Sequence, residues 1–304
     1  MSDPLVWLPF EPELLGDPPA GLRYEVVDPT SAVPDSVTDV RFHVLPYAMS
    51  GGVAEVLPLM TSLEVVQALS AGVDNVRGAV PDGVTLCNGR GIHDASTAEL
   101  ALTLVLSSLR GVPEFVRAQD RHEWRSTWRP ALADKRVLVV GYGSIGAAIE
   151  RRLLPFEAEV VKVARTARGD VHGWTELPAL LPEADVVVLI VPLTDETRGL
   201  VDAEFLGRMK QGALLVNVAR GAVVVTDDLV SALRRGRVTA TLDVADTEPL
   251  PEDSPLWDAP GLLISPHVGG MSSAMWPRAH RLVRDQLHRY VAGEPLVNVM
   301  TGAY

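Results

Sequence analysis

The chain has 304 residues, of which 47% are hydrophobic and 22% charged, with a formal net charge of −12. That is the length of about two domains and the composition of a globular protein with a sizeable core, which excludes a disordered, collagen-like or coiled-coil chain. The acidic balance repels phosphate backbones, so no nucleic-acid partner is expected. A single cysteine, Cys87, excludes an intramolecular disulfide framework and a cysteine-rich zinc site. No histidine spacing suggests a metal. The apolar runs at 100–106 and 186–191 are far shorter than the roughly 20 residues of a membrane span. The N-terminus lacks a basic segment followed by an apolar one, so a cytoplasmic protein away from membranes is expected.

The first hundred residues read as short strands broken by Pro and Gly: Leu5 to Leu8, Leu22 to Val26, Val40 to Leu45, Val65 to Ser70 and Val84 to Cys87. A helix over Val53 to Met60 is weakened by Pro58. From Ala95 the pattern changes. Ser96 or Thr97 can cap a helix through Leu109 that is apolar almost all round, so burial between two domains or two subunits is expected. A polar loop with Trp124 and Trp128 follows.

From Lys135 strand and helix alternate. Strands are predicted at Arg136 to Val140, Val160 to Val163, Asp185 to Val191, Ala213 to Val218, Val238 to Asp243 and Leu262 to Ile264. Helices are predicted at Ile145 to Leu154, Thr175 to Leu181, Asp202 to Met209, Asp227 to Arg235 and about Ser272 to Val291. Continuous apolar strands such as Val186-Val-Val-Leu-Ile-Val suit a parallel sheet covered on both faces.

The first of these strands runs into Gly141-Tyr142-Gly143-Ser144-Ile145-Gly146. In this G-x-G-x-x-G pattern Gly141 permits the tight turn, Gly143 lets a pyrophosphate approach the backbone, and Gly146 lets helix and strand pack closely. The helix N-terminus adds N–H donors and positive potential. The pattern therefore predicts dinucleotide binding. An NAD-binding chain usually places an acid about 20 residues on, against the ribose hydroxyls. Here Ala164 takes that position, followed by Arg165, Thr166 and Arg168. The two arginines suit a 2′-phosphate, so NADP (as NADPH) is expected. NAD stays open, with Asp170 as the ribose acid after a shifted loop.

Ligands of open α/β sheets sit beyond the carboxyl ends of the strands. Three such ends carry Arg220, Glu248 and His267. Each alone has an ordinary structural reading; together they make an acid–base set.

At these positions the chain resembles the NAD(P)-dependent D-isomer-specific 2-hydroxyacid dehydrogenases, which include glyoxylate/hydroxypyruvate reductases. The matching stretches are Ser70 to Asn75, Thr97-Ala-Glu99, Gly141 to Gly146, Val191 to Thr197, Asn217 to Gly221, Leu242-Asp-Val244 with Glu248-Pro249, and Pro266 to Gly269. The resemblance implies two Rossmann-like, doubly wound parallel-sheet α/β domains with a cleft between them. A flavodoxin-like substrate domain would comprise residues 1–95 plus 288–304, and a dinucleotide-binding domain residues 96–287. It also implies a homodimer, with a tryptophan such as Trp128 reaching the partner.

The implied reaction is hydride transfer between nicotinamide C4 and C2 of a small 2-oxo acid or D-2-hydroxy acid. His267 would be the acid, since its ordinary pKa suits proton exchange near neutrality. Glu248 would hold the other ring nitrogen and raise that pKa. Arg220 would bind the substrate carboxylate and polarise the carbonyl. By the same resemblance, Ala71 and Gly72 offer backbone N–H groups to the carboxylate, and Asp243 accepts from the nicotinamide carboxamide. Ser144, Ile145, Thr166, Pro192, Thr197, Val218, Ala219 and Gly269 are further expected cofactor contacts. His43 and Tyr47, read as loop residues, and His93 are expected to be structural or exposed. His172, His280 and His288 are expected to face solvent, and Cys87 the core. Two other functions remain open: a cofactor-sensing regulator or scaffold, and a dehydrogenase of another substrate class.

Overall fold

The computed structural model describes residues 3–47 and 52–301. Strands β1 (Leu5–Leu8), β2 (Arg23–Val26) and β3 (Val40–Val44) come first, followed by helix α1 (Val53–Val56) and strands β4 (Val65–Gln67) and β5 (Thr85–Cys87). Helices α2 (Asp94–Arg110) and α3 (Val112–Asp120) follow. Then come β6 (Arg136–Val140), α4 (Ser144–Leu153), β7 (Glu159–Ala164), β8 (His172–Gly173), α5 (Leu177–Leu180) and β9 (Val186–Leu189). The chain continues through α6 (Ala203–Arg208), β10 (Leu214–Asn217), α7 (Thr226–Arg234), β11 (Thr239–Leu242), β12 (Leu262–Ile264) and α8 (Met275–Ala292). No helix among the described residues is long and apolar enough to cross a membrane.

The chain divides into two compact units, Met1–His93 with Ser273–Tyr304, and Asp94–Ser272. The first holds a five-stranded sheet in the order β2-β1-β3-β4-β5, and its pairings are all parallel. This is the flavodoxin-like order. Strand residues alternate between two cores. Val6, Leu8, Phe42, Val44 and Cys87 pack with Met275, Ala279, Val283 and Leu287 of α8. Leu5, Trp7, Val40 and Val66 pack with Val53 and Leu57 on the opposite face.

The return to this unit therefore falls at 273 rather than 288. The reason is the i, i+4 stripe of α8, which is the cover of this sheet. Burying a Val or Leu contributes about 1.5–3 kcal/mol each, so the helix cannot be divided from the strands it covers. Its Gln286 is fully buried and donates from Nε2 to Gln67 Oε1 at 2.8 Å and Val297 O at 2.9 Å. The C-terminal segment covers the β5 edge, with Met300 N–H donating to Leu86 O at 2.8 Å.

The second unit is a seven-stranded parallel sheet in the order β12-β11-β10-β9-β6-β7-β8. This is the Rossmann order with one further strand, and its direction reverses between β6 and β9. Leu138, Val140, Val187, Leu189 and Leu215 pack under α6 and α7, whereas Val137, Val139, Val186, Val188 and Val216 pack under α2 and α4. Burial on both faces is why these strands read as unbroken apolar runs.

Helix α2 begins at Asp94, before the expected caps. Ser96 and Thr97 lie in its first turn, where Ser96 Oγ meets Ser272 Oγ at 2.6 Å and Thr97 Oγ1 donates to Gly269 O at 3.2 Å. Nor is α2 buried all round. Glu99 and Thr103 are exposed and Leu106 and Leu109 half-buried, which leaves an outer stripe.

Candidate active site

The glycine loop sits at the point where strand order reverses. Gly141 has φ +105°, and a Cβ there would lie 2.4 Å from Ile190 O at the end of β9. A Cβ on Gly146 would lie 2.3 Å from Gly141 O. Packing alone therefore requires the first and third glycines. The second is different: a Cβ on Gly143 would meet nothing within 4 Å. That open face, beside the α4 N-terminus formed by Ser144, Ile145 and Gly146, fits a pyrophosphate. Ser144 Oγ donates to Asp94 Oδ1 at 3.0 Å, which joins this end of α4 to α2.

Beyond β7, Arg165 pairs with Glu196 at 3.0 Å. Arg168 donates from Nη2 to Tyr142 O at 2.6 Å, across the glycine loop, and from Nη1, more distantly, to Thr166 O. Both arginines are exposed cations on the flank of the nucleotide loop. Beyond β9, Thr197 Oγ1 donates to Pro192 O at 2.7 Å and accepts from Thr194 N–H at 2.8 Å, which folds 192–197 into a closed turn.

Arg220, Glu248 and His267 all belong to the second unit. After β10, Val218 and Ala219 are buried, and Asn217 shapes the turn. Its Oδ1 accepts from Ala219 N–H at 3.0 Å and its Nδ2 donates to Arg220 O at 2.9 Å. Gly221 is required next, because a Cβ there would lie 2.0 Å from the Ala245 carbonyl carbon. Arg220 thus leaves the strand against the segment that carries Glu248, and its Nη1 donates to Ala219 O at 2.8 Å.

His267 Nδ1 donates to Glu248 Oε2 at 2.6 Å, and Glu248 Oε1 accepts from Ala245 N–H at 3.0 Å. This fixes the tautomer and leaves Nε2 as the nitrogen that could exchange a proton. The Glu248 hydrogen bond raises the His267 pKa, against burial and the Arg220 charge. Burial pushes the Glu248 carboxyl up. The His267 bond, the Ala245 N–H and the charges of His267 and Arg220 outweigh this and hold it below its ordinary value.

His267 has φ +54°, the left-handed region, unusual for a residue with a Cβ. Asp243 holds it there. The Asp243 carbonyl accepts from His267 N–H at 2.7 Å. Its carboxylate, in a residue only 3% exposed, accepts from Ser265 Oγ at 2.6 Å, Val268 N–H at 3.0 Å and Gly269 N–H at 2.8 Å. Three of the roughly four acceptor positions of a carboxylate are thus used within the protein. Sequence reading missed this clamp, since nothing in Leu242-Asp-Val244 announces which amides come to it.

One pH expectation arises directly. A raised histidine pKa keeps the imidazolium to higher pH, so carbonyl reduction persists as pH rises until that pKa is passed. Glu248→Gln lowers the histidine pKa and moves the alkaline limb of kcat/KM for reduction to lower pH. A pH–rate profile in which the limb stays in place removes Glu248 from this role.

Ala71 and Gly72 follow β4 in the first unit, where Ala71 O accepts from Asn88 Nδ2 at 3.0 Å. Two histidines, His43 and His280, depart from expectation. His43 is on β3, not in a loop; it is buried edge-on to Trp7 at 5.8 Å, and burial pushes its pKa down to about 4. His280 does not face solvent but is half-buried against Phe10, with ring centroids 4.6 Å apart, and Trp276. His93 is buried, with Nε2 2.8 Å from Leu69 O and its ring stacked on Tyr47. Cys87 lies in the core, where burial pushes its thiol up to about 11. Among the described residues no group of three or more His, Cys, Asp or Glu could hold a metal ion.

A glycine loop at the point where a Rossmann sheet reverses its strand order, with a hydrogen-bonded His–Glu pair beyond the same sheet, has the character of an NAD(P)-binding oxidoreductase. Comparison with known proteins narrows the class. The model of the D-isomer specific 2-hydroxyacid dehydrogenase NAD binding domain matches residues 102–269. The chain is 33% identical to a glyoxylate reductase of Korarchaeum cryptofilum over 79% of this chain and 77% of that protein. A D-isomer specific 2-hydroxyacid dehydrogenase from Xanthobacter autotrophicus Py2, solved in complex with NADPH and MES, superposes with a TM-score of 0.82 at 31% identity, covering 99% of this chain and 98% of that one. An NADPH-dependent glyoxylate/hydroxypyruvate reductase from Sinorhizobium meliloti, in complex with NADP and sulfate, gives a TM-score of 0.84 at 26% identity over 98% of both chains. The chain belongs to the D-isomer specific 2-hydroxyacid dehydrogenase family.

Proposed function

We propose that the protein is a cytoplasmic, NADPH-preferring reductase of a small 2-oxo acid, forming the D-2-hydroxy acid, and that it runs in reverse when the oxidised cofactor is supplied. The observation that carries the reading is the 2.6 Å His267–Glu248 pair in one unit with Arg220. Bound nicotinamide supplies the hydride. Reduction leaves negative charge on the carbonyl oxygen, and His267 Nε2 delivers the proton to it. Glu248 stabilises the imidazolium before transfer. Arg220, a permanent cation with a planar fork, binds the carboxylate and polarises the carbonyl. The amides of Ala71 and Gly72 add donors to the carboxylate. Asp243 has one acceptor position left for the carboxamide.

Arg165 and Arg168 at a strand end without an acid support NADPH over NADH. The nucleotide-bound relatives, named with NADPH or NADP, point the same way. The proposal includes a homodimer: Val112, Phe115 and Val116 of α3 and the fully exposed Trp124 and Trp128 suit a second copy.

The test is a panel of 2-oxo acids assayed with NADPH and NADH. The expected result is turnover with higher kcat/KM for NADPH. Arg165→Ala with Arg168→Ala should weaken NADPH use by about 10- to 100-fold and NADH use far less, as charge-assisted bonds to a phosphate are lost. A tenfold wild-type preference for NADH would sink the cofactor assignment, and no turnover of any 2-oxo acid would favour a cofactor-sensing role.

A further inference from the structure

We infer that Lys162 is a positioning residue for cofactor choice: it withdraws the Asp170 carboxylate from the adenosine ribose and pins the turn that carries Arg168. The inference rests on the NADPH reading above. Lys162 lies on β7, two residues before the strand ends, and is buried. A buried ammonium requires partners. It has two, Glu150 Oε1 on α4 at 2.9 Å and the carboxylate of Asp170. The other Glu150 oxygen accepts from the Tyr142 hydroxyl in the glycine loop, and the ammonium stands 5.5 Å from the Tyr142 ring centroid. One side chain thus joins the glycine loop, the helix behind it and the loop after β7.

That last loop is a tight turn. Arg168 N–H donates to Val171 O at 3.0 Å and Val171 N–H to Arg168 O at 2.9 Å, with Gly169 at φ +55° between them. Asp170 is the other central residue of the turn, so the Lys162 bridge sets the turn's position. From its first residue, Arg168 reaches Tyr142 O. The bridge also settles the charge. The carboxylates bordering this strand end are Glu150, Asp170 and Glu196; Lys162 holds the first two and Arg165 the third. The Asp170 side chain is 82% exposed on the loop that follows β7. Without Lys162 it would accept from ribose hydroxyls and repel a 2′-phosphate.

The test is nucleotide binding to the full chain, by fluorescence titration with NADPH and with NADH. Lys162→Met is expected to lower the NADPH-to-NADH affinity ratio about tenfold or more, because the Asp170 carboxylate, released from its bridge, then repels the 2′-phosphate. kcat at saturating NADPH should change little, so the effect appears in KM. Adding Asp170→Asn to Lys162→Met should restore most of the ratio by removing the repelling carboxylate. Lys162→Gln keeps a donor to Glu150 and serves if the Met variant does not fold; it should shift the ratio the same way. A ratio within twofold of wild type in the folded variant overturns the inference. So does a loss that Asp170→Asn leaves unrepaired, because Lys162 would then act on the phosphate directly. The NADPH reading fails separately, on the wild-type preference, since the shift between wild type and variant needs no particular starting ratio.

Discussion

His267→Gln is expected to lower kcat by about 10²- to 10⁴-fold at neutral pH while NADPH affinity stays near wild type. Glutamine matches the histidine in length, and the loop keeps its anchor, because Asp243 holds the backbone at 267–269. Glutamine carries no proton that can be given up near neutrality. The backbone is not the variable, because both residues have a Cβ and face the same left-handed conformation. Nor is the nucleotide cradle, which lies at Gly141 to Gly146 and the loops after β7 and β9. Steady-state kcat and a nucleotide titration on the same preparation separate chemistry from binding. A kcat within threefold of wild type would place the proton donor elsewhere. In the reverse reaction the variant should fail equally, since the same nitrogen must then accept a proton.

Arg220→Ala should reduce kcat/KM more than Arg220→Lys does, and neither should change NADPH affinity much. Lysine keeps the charge but loses two parallel donors. Its expected cost is about 1–3 kcal/mol, the range for a hydrogen bond to a charged group, or roughly 5- to 150-fold in kcat/KM. Alanine removes charge and donors together, leaving the substrate carboxylate without its permanent cation. The turn should survive both changes, because it is held by Asn217 and by the close approach of Gly221 to Ala245 rather than by the guanidinium. Should NADPH binding collapse in the alanine variant while preference among 2-oxo acids is unchanged, Arg220 belongs to the cofactor phosphates.

Some of this was legible in the residues. The runs at 137–140 and 186–189 are apolar without alternation because both faces of the sheet are covered, and that signal is local. The glycine spacing was equally local, because each glycine answers to a neighbour within one turn or one strand. Helix α3 was missed: Val112, Phe115 and Val116 are exposed, so its apolar residues follow no core-facing stripe. Strand β8 has two residues, too few for any pattern. The second unit ends at 272 and not at the expected 287, because the stripe of α8 reads alike whichever sheet it covers. Lys162 gave no sign of its role. Its partners are 12 and 8 residues away on other elements, and only the packed β7–α4 layer brings them to one point.

With the proton-donor role proposed for His267, its left-handed backbone means that stability and catalysis select different residues at one position. A left-handed conformation costs an L-residue about 1–2 kcal/mol that glycine does not pay. Glycine at 267 would relax the loop while deleting the proton donor, and β-branched residues would strain it further. Random substitution screened for thermal tolerance alone would therefore drift toward an inert protein here. The same screen run on turnover would keep the imidazole and seek its gains elsewhere, in places such as the exposed face of α3 that carry no part of the proton path.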